Sequence, residues 1–106
     1  MTSERLVTAI DSSNALQLQL LVHRAKRGDI DGAVDAMLNI SDGLRQCVRE
    51  GALDDQALRE RVLWVTGALI RELGLIKFGR VAIGFAGAIK GRDGYDMIGA
   101  APRDRN

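Results

Sequence analysis

The only proline in the chain is Pro102, so nothing ahead of that residue forbids helix. Glycine does the punctuating instead. Gly28, Gly51, Gly74 and Gly91 each close a stretch whose apolar residues recur at helical spacing. The 106 residues are enough for one domain. With only Trp64, Phe78, Phe85 and Tyr95 as aromatics, the core must come from 13 Leu, 8 Ile, 7 Val and 13 Ala. That inventory suits close-packed helices better than a β-sandwich. The expected fold is all-α: a small bundle of about four helices joined by short Gly/Asp turns. Residues 1–91 form the helical domain and 92–106 a flexible tail, because that segment mixes charge, glycine and Pro102 with few apolar residues.

The boundaries can be argued one at a time. Leu6, Val7 and Ile10 either start a helix after Ser3 or belong to a mobile arm over residues 1–12. Asn14, with Gln17 three positions on, has capping-box spacing and predicts a first helix from there. Arg24, Lys26 and Arg27 followed by Gly28 give the expected end. Asp29 caps a second helix, which Ser41-Asp42-Gly43 bends or divides and Gly51 ends. Asp54 caps the third, with Leu53 and Leu58 placed as a hydrophobic staple. Leu73-Gly74-Leu75 reads as a Schellman stop in which Leu75 folds back. Residues 76–90 hold Gly79, Gly84 and Gly87, and read as a buried small-residue helix or a short strand pair; helix is preferred.

The turn Gly28-Asp29-Ile30-Asp31-Gly32-Ala33, with Leu20 before it, resembles that of a tetratricopeptide hairpin. No second copy follows, and Leu21 and Ile40 stand where that family has small residues. The resemblance implies a shared turn, with helices one and two as antiparallel neighbours.

Catalytic chemistry finds no foothold. His23 has no acid or nucleophile nearby in sequence, so it reads as a surface or half-buried residue. Cys47 sits on an apolar stripe and reads as a buried structural thiol, although Arg45 and Arg49 lie close enough in sequence to activate one. One cysteine and one histidine exclude a disulfide framework and a Cys-based zinc site. Asp29, Asp31 and Asp35 fail the calcium-loop pattern, since its sixth and twelfth positions would be Val34 and Ile40. No Walker or dinucleotide fingerprint accompanies the glycines. The chain is therefore expected to be no enzyme, with no cofactor, metal or small-molecule substrate.

A net charge of +1 argues against a strongly basic nucleic-acid module. The longest uncharged apolar runs, 62–70 and 81–89, are too short to span a membrane. With no apolar leader at the N-terminus, a cytoplasmic location is expected. Arg outnumbers Lys by 12 to 3 and Ala and Gly are abundant, as in bacterial genomes rich in G and C.

What remains is an excess of apolar faces. Leu58, Val62, Val65 and Leu69 form one seam of the third helix. Leu63, Trp64 and Ile70 form another beside it, with Phe78 and Phe85 on the segment that follows. A helix in a bundle needs an apolar stripe little more than ~100° wide. These nine residues are the expected partner-binding set. The partners are a second copy of the chain, as a homodimer, and another protein such as a transcriptional regulator. The expected role is a small bacterial regulator, for example an antiactivator covering a transcription factor's dimer or DNA-binding surface. The alternative rests on residues 71–92. There Arg71, Lys77, Arg80, Lys90 and Arg92 face Glu72 alone, a local charge of +4 suited to nucleic acid or a membrane surface.

Overall fold

The computed structural model describes the backbone of residues 3–100 and the side chains of residues 3–92. It is all-helical, with no strand among the described residues; residues 76–90 are helix. Three helices follow one another: α1 (Ser3–Lys26), α2 (Ile30–Arg49) and α3 (Asp55–Ala100). The expected third and fourth helices are thus one element, kinked at Gly74, where φ is 77° and ψ is 166°. That conformation is essentially closed to residues with a Cβ. It is not the left-handed helical value of a Schellman stop, whose ψ lies near +47°. The chain therefore leaves one helical arm (55–73) and enters the next (75–100) with no loop between. Leu75, expected to fold back, is exposed.

The stops at Gly28 and Gly51 are Schellman motifs. Each glycine has positive φ. The N–H groups of Asp29 and Ala52 reach back to the carbonyls of Arg24 (2.9 Å) and Cys47 (2.8 Å). Both following helices are capped. Asp29 Oδ1 accepts from the Gly32 N–H at 2.9 Å, and Asp54 Oδ1 from the Ala57 N–H at 2.8 Å. Leu53 is buried and Leu58 partly so against the same core.

Three local expectations fail, the first two because distant contacts outweigh local preferences. Helix α1 begins at Ser3, so residues 3–12 are its first turns and Asn14 is no cap. Asn14 is instead buried inside α1. Asp11 takes both ends of Arg61 on α3, with Nε–Oδ1 at 3.0 Å and Nη2–Oδ2 at 2.9 Å. Ser41-Asp42-Gly43 does not interrupt α2. A Cβ on Gly43 would lie 3.1 Å from Ile10 Cγ2 and 3.3 Å from Asn14 Oδ1, so this glycine lets α1 approach. Gly91 does not end α3, which continues to Ala100. Gly91 lacks the positive φ that turns the chain at 28, 51 and 74. The remainder of the expected tail, 101–106, lies outside the described residues.

Contacts along the helices fix their directions. Gln17 meets Asn39 and Arg24 meets Gly32, so α1 and α2 are antiparallel. Asp11 meets Arg61 and Lys26 meets Glu72, so α1 runs parallel to the first arm of α3. Asp42 meets Arg92, and a Cβ on Gly84 would lie 2.8 Å from Val34 Cγ2, so α2 runs parallel to the second arm. Leu21, Ile40, Cys47, Leu69 and Val81 are fully buried between them. Burying each large aliphatic side chain among them contributes roughly 1.5–3 kcal/mol.

Candidate functional site, an apolar groove inside the kink

The two arms of α3 diverge from Gly74, and α2 lies across the angle. Between them runs a groove of about 660 Å³. The first arm contributes Leu58, Val62, Val65 and Thr66, and the second Phe78, Ala82 and Phe85. Helix α2 supplies the floor and one wall through Met37, Ile40, Ser41, Leu44 and Val48. These recur at three- and four-residue intervals and so share a face. Ile40, Leu44 and Val65 are buried, while Val48 and Val62 stand 44% and 48% exposed at the lip. Arg45 and Arg49 complete the lining on the α2 side. Both are exposed and make no ion pair among the described residues. The site is thus apolar inside with cations along one edge.

The nine expected partner-binding residues divide. Leu58, Val62, Val65, Phe78 and Phe85 line the groove. Leu69 is fully buried in the core and unavailable. Leu63 and Trp64, 70% and 49% exposed, lie on α3 outside the groove, and Ile70 is half-buried outside it. The α2 lining was missed. Its apolar residues form a band wide enough for two faces, one for α1 and one for the groove, and that width was the available signal.

The other candidates take structural places. Cys47 is free and fully buried. Burial pushes its thiol pKa up, nearby Asp11 adds to the rise, and Arg61 opposes it. A thiol held in its neutral form is a poor nucleophile. Hydrogen bonding to Asp11 raises the Arg61 pKa, so the guanidinium stays charged. His23 is exposed in a 420 Å³ cleft with Lys26 and Glu72, which has no Ser, Thr or Cys among its lining residues. No cluster of three metal-ligating side chains exists among the described residues. Two of the five cations of 71–92 make contacts within the chain. Lys77 donates to the Lys26 carbonyl and Arg92 pairs with Asp42, both turned toward the rest of the molecule. No helix among the described residues is long and apolar enough to cross a membrane.

Comparison of the chain with protein-family models, curated proteins and solved structures found no match.

Proposed function

We propose that this chain is a non-catalytic interaction module that receives an amphipathic helix of a partner protein in the groove between α2 and the arms of α3. The observation carrying this reading is the groove itself, an open apolar trough with Arg45 and Arg49 on its edge. Helix-in-groove recognition uses an apolar face laid into such a trough. The two guanidiniums favour a partner whose flank carries Asp or Glu. A module that covers a partner's helix blocks whatever else that helix would bind, which is how an antiactivator acts on a transcription factor. We place this chain in that class of small regulators, and propose that it also pairs with itself.

A photo-crosslinking residue at Val62, on the lip, tests the groove. The captured peptide, mapped by mass spectrometry, should be an amphipathic helical segment with an acidic flank. The same probe at Arg59, exposed outside the groove, should not capture it. Equal capture at both positions, or a captured segment without an apolar face, refutes the reading.

A further inference from the structure

Among the glycines described in the second arm of α3, Gly79, Gly87 and Gly91 have no packing reason within the chain, and the first two concern its outer face. Gly43 and Gly84 each admit a neighbour, since a Cβ there would crowd Ile10 or Val34. At Gly79 and Gly87 a Cβ would meet nothing within 4 Å. Both lie inside a helix without positive φ, where glycine weakens the helix relative to alanine. They share the outer face of the arm with Leu75, Ile76 and Ile83, which are 72%, 77% and 76% exposed. Ile76, Gly79, Ile83 and Ala86 are spaced three, four and three residues apart, as on the seam of a two-helix coiled coil. Large and small residues alternate along it.

The alternation is self-complementary. Two copies can be set antiparallel about a two-fold axis passing near residue 81. Ile76 then meets the other copy's Ala86, and Ile83 meets its Gly79. Each large side chain falls on a small one in all four layers, and the axes can approach at the close end of the ~8–10 Å range. Self-complementarity makes a second copy the occupant: Leu75, Ile76 and Ile83 stand 72%, 77% and 76% exposed, and the positions related to them by the axis are Gly87, Ala86 and Gly79.

We infer that the chain forms a two-fold homodimer through the outer face of residues 75–87, antiparallel, with Ile76 against Ala86 and Ile83 against Gly79. This rests on the self-association proposed above and assigns its place and register. It leaves the groove open to a partner, and it excludes Trp64 from the contact.

Sedimentation of the full chain should show a dimer with a dissociation constant in roughly the micromolar range. Ile83→Lys should weaken it at least tenfold while circular dichroism stays helical. Gly79→Leu, which fills open space in the monomer, should do the same by blocking the hole. Trp64→Glu and Arg59→Glu should leave it intact. Register is read by disulfide trapping. Chains carrying Ile76→Cys and Ala86→Cys should crosslink when mixed and not singly. Like positions lie about 15 Å apart along the axis at 1.5 Å per residue, beyond the ~7 Å Cα limit of a disulfide. A monomer at about 100 μM, well above such a constant, overturns self-association itself. A dimer indifferent to Ile83→Lys and Gly79→Leu, broken by Trp64→Glu, or trapped without mixing overturns the assigned face and register alone.

Discussion

Gly74→Ala tests the link between one backbone angle and the groove. The substitution is free of side-chain clashes, since a Cβ at Gly74 meets nothing within 4 Å. Its whole cost is conformational. Holding alanine at φ 77°, ψ 166° costs about 1–3 kcal/mol. The escape is to straighten α3, where alanine gains about 1 kcal/mol of helix propensity over glycine. Straightening lifts the second arm off α2, and Val81, now 1% exposed, enters water at a cost of roughly 1.5–3 kcal/mol. Phe78 follows it, so the escape costs at least as much as the strain. The expected loss is therefore that of the strain, about 1–3 kcal/mol, or roughly 4–20 °C in Tm for a domain of this size; the straightening route would cost about 2–5 kcal/mol. Small-angle scattering separates the routes. A straight α3 of 46 residues would be about 69 Å long, against a present longest dimension of 45 Å. D-alanine at position 74, which prefers positive φ, should restore stability. An L-alanine variant with unchanged Tm and unchanged scattering would refute the reasoning, because the kink would then not depend on glycine.

Three other substitutions probe the packing. Gly67→Ala should stabilise by about 0.5–1 kcal/mol, since its Cβ meets only Arg71 Nη1 at 3.5 Å. Gly84→Ala gains the same propensity but crowds buried Val34, and overpacking of about 1–3 kcal/mol should leave it level with or below wild type. Urea curves giving the opposite order would contradict the packing of the second arm on α2. Asn14 is buried, and its side-chain amide makes no hydrogen bond with another described residue. Asn14→Ala should therefore raise stability by about 1 kcal/mol, as the desolvated amide is removed; a loss of that size would mean the amide is paired. Cys47 has its folded pKa raised above the ordinary value of 9.0. The unfolded thiol therefore ionises first, and stability falls as pH rises beyond about 9. Stability measured from about pH 8 to 11 should decline less steeply in Cys47→Ala than in wild type, and parallel slopes would remove Cys47 as the cause.

The all-α fold was legible because its evidence is local. An absence of proline, two Schellman glycines and the caps at Asp29 and Asp54 act within a few residues of themselves. Asn14 misled because what surrounds it is far away in sequence. Asp11 reaches Arg61, 50 positions on, and Asn14 faces Gly43 across the α1–α2 contact. A polar cluster held by tertiary contacts looks the same in sequence as one waiting to cap a helix. Half of the groove was visible in Leu58, Val62, Val65, Phe78 and Phe85, because α3 has more apolar faces than one core needs. The α2 half was hidden because apolar periodicity counts faces without saying which neighbour each meets.

Glycine shows why the site could not be assembled from sequence alone. One residue type does three different jobs here, and only the structure separates them. At 28, 51 and 74 positive φ redirects the chain. At 43 and 84 a missing Cβ admits a neighbouring helix. At 79 and 87 neither reason holds within the chain, and the cost to helix stability remains. The groove depends on the first kind at Gly74, which opens the angle, and on the second at Gly84, which lets the second arm lie on α2. The third kind falls on the outer face of that same arm. The arm thus has its inner side committed to the fold and the groove, while its outer side, with Leu75, Ile76 and Ile83 exposed, is the face on which the proposed dimer is to be tested.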